Sequence, residues 1–212
     1  MRKELKYILK QGQFELLYLN LLENGFEVLY PSRKIYSIYY DTESFLLFNY
    51  SDYGYSRRAK VRIRHYNENI ENAFLEFKHK VDEGGTKTKH SIFQYKNQLN
   101  ISSNKFKNFN IPIKINQDLV PILGVNYLRH YLLSKCGEIR ITIDQNLEFG
   151  KIVRLKNNFN LNFNINFPAE ILELKSDLSI TSHNKSFSKI LDYFNLTRSR
   201  FSKYCMGVKL LY

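Results

Sequence analysis

The chain has 212 residues, 43% of them hydrophobic and 15% aromatic, including 16 Tyr and 16 Phe, which is enough apolar material for a sizeable core and excludes a disordered chain. Its 32 Lys and Arg against 20 Asp and Glu give a net charge of +12, which points to an anionic partner: nucleic acid, membrane surface, nucleotide or polyphosphate. Two cysteines, Cys136 and Cys205, exclude a disulfide framework, and the absence of a secretory signal, of a ~20-residue apolar span and of a Pro/Gly/Ser linker predicts one domain over residues 1–212 in the reducing cytoplasm.

Alternation at period two recurs in short segments separated by polar turns, the pattern of antiparallel strands. In the first segment Glu4 and Lys6 share a face, because successive strand residues point to opposite sides. Residues 12–24 read as an amphipathic helix, with Phe14, Leu17, Tyr18, Leu21 and Leu22 on one stripe and Gly25 as the stop. Ser37, Tyr39 and Asp41 share a face of the second strand, and Lys60, Arg62 and Arg64 a face of the third. Glu76, Lys78 and Lys80 do the same on the fourth, and Lys87 and Lys89 on the next. Gly84-Gly85 reads as a connecting turn between basic strands, and 91–100 is a weaker helix candidate. Glu138, Arg140, Thr142 and Asp144 then alternate with Ile139, Ile141 and Ile143, and Glu173 and Lys175 with Leu172 and Leu174. Phe187, Ile190, Leu191 and Phe194 predict a final helix near 184–195. Strands dominate and helices lie between or after them, an α+β or barrel architecture.

The ordinary explanation of an alternating charged strand is a sheet with one face packed and the other in water. Three features favour charged faces turned inward: basic residues dominate, charge density is regular across strands, and carboxylates recur in Glu-x-Lys pairs. A sheet closed in that sense into a barrel has helices over its apolar outside and no edge strands. Its cationic interior requires a polyanion to offset the repulsion among confined like charges. Arg62, Arg64, Arg129 and Arg140, which can grip phosphate oxygens with two donors, together with Lys6, Lys78, Lys87 and Lys89, are the candidate phosphate ligands. A carboxylate among them suits Mg²⁺ or Mn²⁺, hard ions that bridge carboxylate and phosphate oxygens. His65, His79, His90, His130 and His183 lack metal-ligand spacing, neither cysteine carries a nucleophile signature, and no Gly-rich phosphate loop is present.

Nine segments, in order, resemble the VTC polyphosphate polymerase domain: Glu4-Leu-Lys6-Tyr7, SIYYDT from Ser37, KVRIRHY from Lys60, FLEFKHK from Phe74, KTK from Lys87, YLRHY from Tyr127, EIRITID from Glu138, ILELK from Ile171 and RFSKY from Arg200. The resemblance covers nearly the whole chain and implies the triphosphate tunnel metalloenzyme fold, a closed antiparallel β-barrel with helices packed outside, shared with CYTH-type triphosphatases and adenylyl cyclases. CYTH relatives begin with Glu-x-Glu-x-Lys, whereas Arg2, Glu4 and Lys6 stand here, which favours the VTC branch. By matched segment, the family's phosphate and nucleotide contacts fall on Lys6, Arg62, Arg64, Lys78, Lys87, Lys89, Arg129, Arg140 and Lys203, with Lys175 and Tyr39 as further substrate contacts. Its metal-binding carboxylate falls on Glu173, with Glu76 and Glu4 as alternatives.

The resemblance thus implies a metal-dependent polyphosphate polymerase using Mn²⁺ or Mg²⁺, which moves the terminal phosphoryl group of ATP to a growing polyphosphate chain. ATP and polyphosphate are the expected partners, nucleic acid is not, and a membrane-protein partner is the expected route to any membrane. Hydrolysis of inorganic or nucleoside triphosphate on the same fold is one alternative. A non-catalytic nucleic-acid-binding module is another, disfavoured because many Tyr and Phe occupy apolar-face positions and read as core.

Overall fold

The structure of the chain, a computed structural model, describes residues 2–82, 84–91, 113–155, 159–177 and 185–212. The strands are β1 (Arg2–Leu9), β2 (Phe26–Asp41), β3 (Arg58–Tyr66), β4 (Asn69–Val81), β5 (Gly84–Ser91), β6 (Val120–Ser134), β7 (Arg140–Arg154), β8 (Phe159–Asn166) and β9 (Glu170–Asp177). The helices are α1 (Phe14–Glu23), α2 (Leu46–Asp52), α3 (Lys185–Tyr193) and α4 (Lys203–Leu211). The predicted helices at 12–24 and 184–195 are α1 and α3, whereas the candidate at 91–100 lies almost entirely outside the described residues. No helix among the described residues is long and apolar enough to cross a membrane.

The chain divides into two compact units. The first comprises Met1–Lys34, Tyr127–Leu147 and Asn166–Phe201, and its strands follow the order β1-β9-β7-β6-β2. Its core is the apolar half of the alternation: Ile141 and Ile143 of β7 and Leu172 and Leu174 of β9 pack with Phe14, Leu17 and Leu21 of α1 and with Ile190 and Phe194 around α3. Leu17 and Leu21 are fully buried, and each such side chain contributes about 1.5–3 kcal/mol. Gly25, at φ +85°, takes the left-handed conformation that stops α1 and donates its N–H to the Leu22 carbonyl at 3.2 Å.

The second unit comprises Ile35–Asn126, Glu148–Ile165 and Ser202–Tyr212, with strands in the order β7-β6-β2-β3-β4-β5 and β8 paired to β7. Tyr40, Val61, Leu75 and Phe77 form its core with Leu47 of α2. The sequence pattern does not reveal α2, which is fixed by a polar device. The Asp41 carboxylate accepts the N–H groups of Leu47 (2.8 Å) and Phe48 (2.9 Å), and the Thr42 hydroxyl accepts that of Leu46 (3.0 Å). Ser202 caps α4 in the same way, its hydroxyl accepting the Cys205 N–H at 3.3 Å.

Two expectations are corrected. The strand order is open, running from β1 at one end to β5 at the other, so the described strands do not form the closed barrel expected from the sequence. Among the described residues β5 stands at one end of that order, and Gly-Gly-Thr-Lys-Thr-Lys-His-Ser is exposed over nearly its whole length and carries two lysines, as edge strands commonly do. Gly84-Gly85 is not the turn but the start of β5, paired with Val81 and Lys80, while the reversal is made by Asp82 at φ +52°.

Candidate functional site

The charged faces of the two units differ in composition. In the first unit, Lys6 of β1 is in register with Glu173 of β9, and Glu4 with Lys175. On its other side β9 pairs with β7, placing Thr142 beside Glu173 and Arg140 beside Lys175. The register therefore sets each carboxylate against a base. Lys6 Nζ lies 3.5 Å from Glu4 Oε1 and 3.5 Å from Glu173 Oε1, and donates to the Phe201 carbonyl at 3.1 Å. Lys175 Nζ lies 3.4 Å from Glu4 Oε2, and Arg129 Nη2 lies 3.6 Å from Glu173 Oε2. Arg129 also grips Asp144 with both arms, Nε to Oδ1 at 2.5 Å and Nη2 to Oδ2 at 2.7 Å. Burial opposes charge on Arg129, but Asp144, Tyr127 and Glu173 outweigh it and push its pKa up. Asp144 thus lies within β7 as the partner of Arg129, while Arg140 is exposed.

In the second unit, cross-strand register assembles rows of basic residues. Tyr39, Arg62, Glu76 and Lys89 line up across β2, β3, β4 and β5, and Lys60, Lys78 and Lys87 form the next row. Ser37 faces Arg64, and Arg58 faces Lys80. On β3, β4 and β5 this face holds Glu76 as its carboxylate. Glu76 is buried at 1% exposure, accepting from Arg62 Nε at 2.8 Å and lying 2.6 Å from Lys87 Nζ and 3.8 Å from Lys89 Nζ. Burial would raise its pKa, but Arg62, Arg64 and Lys87 bring it down to about 2.

The same crowding acts on the neighbours of Glu76. Burial lowers the Lys87 pKa and Arg62 and Arg64 lower it further, so that despite Glu76 it falls to about 8. Tyr39 would be raised by burial, yet Arg62, Arg64 and Lys60 bring its phenol down to about 8. Arg62 Nη1 donates to the Tyr39 hydroxyl at 2.9 Å, and the buried Arg64 donates from Nε to Ser37 at 3.0 Å. The Tyr39 ring stacks on Tyr204 of α4 at 5.1 Å, and the Tyr204 hydroxyl donates to Asp41. Lys60 Nζ donates to Ser202 at 2.7 Å, and Lys203 is buried in the first turn of α4.

Register and ion pairs therefore bring Lys6, Arg129, Lys175, Glu4 and Glu173 together in the first unit, and Tyr39, Arg62, Arg64, Glu76, Lys78, Lys87 and Lys89 in the second. The sequence singles out neither Lys60 nor the Arg129–Asp144 fork as part of a site; alternation marks their faces, but only register gives their neighbours.

Among the described residues no group of three or more His, Cys, Asp or Glu side chains forms a metal cage. The donors nevertheless fit a hard divalent ion in the first unit. Glu4 Oε1, Glu173 Oε1 and the Phe201 carbonyl already converge on one cation, the Lys6 ammonium, and the buried Thr142 hydroxyl beside Glu173 has no hydrogen-bond partner among the described residues. Two carboxylates are a common protein share for such an ion when substrate phosphates complete its shell. Glu76, enclosed by three cations, fits a charge-balancing role better.

The VTC domain family profile matches residues 1–212. Among solved structures, a Hippeastrum protein assigned as an adenylyl cyclase, with a dominant triphosphatase activity, is 12% identical with a TM-score of 0.60, covering 99% of this chain and 96% of its own. A Vibrio parahaemolyticus protein assigned as an adenylate cyclase is 16% identical with a TM-score of 0.53 and covers 98% and 97%. A Bacillus halodurans protein with the same assignment is 14% identical with a TM-score of 0.52, covering 95% of each chain. At these identities the likeness establishes a shared fold. No curated protein sequence matches the chain.

Proposed function

The chain belongs to the VTC domain family, and on that premise we propose that it is a metal-dependent phosphotransferase that moves the terminal phosphoryl group of ATP onto the end of a polyphosphate chain. The observation that carries this reading is the basic face of the second unit, where Lys60, Lys78 and Lys87 stand in one cross-strand row beside the Arg62–Glu76–Lys89 row. Like charges placed directly opposite destabilise a sheet, so a surface that keeps three lysines in a row is built to meet an anion. A chain of phosphates supplies one anionic group after another along such rows.

Within this reading Arg62 and Arg64 orient phosphate oxygens, and Lys78, Lys87 and Lys89 neutralise them. Tyr39 holds Arg62, and Lys203 adds a further cation to the same unit. In the first unit Glu173 and Glu4 would hold Mn²⁺ or Mg²⁺, with Lys6, Arg129, Lys175 and Arg140 as the basic residues around them. Such an ion, when bound, offsets negative charge on the transferring phosphoryl group. No protein nucleophile is needed, because the acceptor is already an anionic phosphate oxygen. The work of the side chains is alignment and charge stabilisation.

Hydrolysis of a nucleoside or inorganic triphosphate is the second reading, favoured by the triphosphatase activity of the Hippeastrum relative. The two readings differ in product. The purified chain incubated with ATP and Mn²⁺ or Mg²⁺ is expected to yield a ladder of phosphate chains on a polyphosphate-stained gel. Orthophosphate as the sole phosphate product would replace the polymerase by the hydrolase, and no turnover of ATP or inorganic triphosphate would defeat both.

A further inference from the structure

Lys6 occupies an unusual position for a residue whose expected task is to hold phosphate. Its ammonium is surrounded by Glu4 Oε1 and Glu173 Oε1, each at 3.5 Å, and by the Phe201 carbonyl at 3.1 Å. The carbonyl accepts a hydrogen bond from the ammonium, and the two carboxylate oxygens stand at ion-pair distance. The same three are hard ligands of the kind a divalent ion takes. The second oxygens of the two carboxylates are held elsewhere, Glu4 Oε2 by Lys175 at 3.4 Å and Glu173 Oε2 by Arg129 at 3.6 Å. These outer contacts hold the far oxygens and leave both Oε1 atoms turned toward the Lys6 ammonium. Thr142, in register with Glu173, adds a buried hydroxyl that makes no hydrogen bond among the described residues.

We infer that Lys6 is the resting occupant of a cation site, and that a divalent ion enters it only as the Lys6 ammonium leaves for a phosphate, so that metal and phosphate bind this chain cooperatively. A divalent ion and an ammonium cannot share a point between the same two carboxylates, because their repulsion at that distance cancels much of what the carboxylates offer. Once displaced, the ammonium requires a new anion, and a phosphate entering with the metal provides one. The coupling is reciprocal: phosphate that draws Lys6 away raises metal affinity, and metal that expels Lys6 raises phosphate affinity by the same factor. The exchange rests on contacts within the first unit alone, whereas the identity of the anion rests on the proposed function.

The test is uptake of Mn²⁺ by the metal-free full chain, followed through the electron paramagnetic resonance of the free ion, with and without inorganic triphosphate. Lys6→Met keeps the length of the stem and removes the charge. Lys6→Gln serves as a second variant, and each is first checked for the thermal unfolding of the parent. The parent chain is expected to take up Mn²⁺ weakly alone and about ten-fold more tightly with triphosphate present. Without triphosphate, the Lys6 variants should bind Mn²⁺ about ten-fold more tightly than the parent and respond little to added triphosphate. Glu173→Gln introduced into Lys6→Met should erase that gain. Folded Lys6 variants that bind Mn²⁺ no better than the parent overturn the inference, whatever triphosphate does. A parent chain that binds no triphosphate overturns the proposed function instead, while a gain in Mn²⁺ affinity in the variants still supports the exchange.

Discussion

One strand alternation carries two different charge balances in this molecule. In the first unit, Glu4, Asp144 and Glu173 are matched by Lys6, Arg129 and Lys175, each base in contact with a carboxylate. In the second, Arg62, Arg64, Lys78, Lys87 and Lys89 crowd around Glu76, which is driven down to about 2 by its neighbours. A balanced face can exchange one cation for another, whereas a face with excess positive charge is completed by an anion. Under the proposed function the difference assigns the metal to one unit and the phosphates to the other, and it can be broken from either side.

The largest effect is expected from Arg62→Ala with Arg64→Ala. Each charged hydrogen bond to phosphate contributes roughly 1.5–3 kcal/mol, so triphosphate affinity measured by calorimetry should fall by about a hundred-fold or more. Metal uptake in the first unit, measured without triphosphate, should be untouched. Glu76→Gln acts next: it leaves Arg62 and Lys87 without their buried partner and should destabilise the fold by about 3 kcal/mol, read from urea unfolding at neutral pH. Because the carboxyl is depressed to about 2 from its ordinary 4.5, its contribution is complete above pH 4.5 and is lost as pH falls through about 2. The difference between parent and variant should close over that acid range, and a constant difference would show that Glu76 acts through packing alone.

On the balanced face, Glu173→Gln should weaken Mn²⁺ uptake by at least the ~10-fold typical of losing a supporting residue at a metal site. Triphosphate binding in the absence of metal should persist. The smallest effect is one of pH. Lys87 and Tyr39 both titrate near 8, and as pH rises through that value one loses a positive charge and the other gains a negative one. Both changes weaken the hold on anions, so triphosphate affinity should decline above pH 8, and Tyr39→Phe should reduce the steepness. An affinity independent of pH between 7 and 9 would remove Lys87 and Tyr39 from the binding face.

Much of this was legible in the residues. Alternation marks the charged and apolar faces of β1, β3, β4, β7 and β9, and the helical stripes mark α1 and α3, because both are local periods that burial imposes on the chain. Register is not local, and a period of two is compatible with many pairings. Alternation therefore could not say that Lys6 would stand between Glu4 and Glu173, or that Asp144 would meet Arg129. Asp41 and Thr42 carry a cap signal for α2 that is visible only once the short apolar run after them is read as a helix. Closure of the barrel is read from charged faces turned inward and from the resemblance, and a local charge pattern cannot fix it; among the described strands the lysine-bearing, exposed β5 stands at one end of the order. Open or closed, the sheet keeps the two faces, since they depend on neighbouring strands alone.

The central claim, that the excess-positive face grips phosphate while the balanced face holds the metal, is tested most directly by titrating inorganic triphosphate into the metal-free chain in a calorimeter, with Arg62→Ala and Glu173→Gln measured beside the parent. Binding by the parent, a loss of roughly 1.5–3 kcal/mol in Arg62→Ala and little change in Glu173→Gln are expected. Equal losses in the two variants, or no binding by the parent, would contradict it.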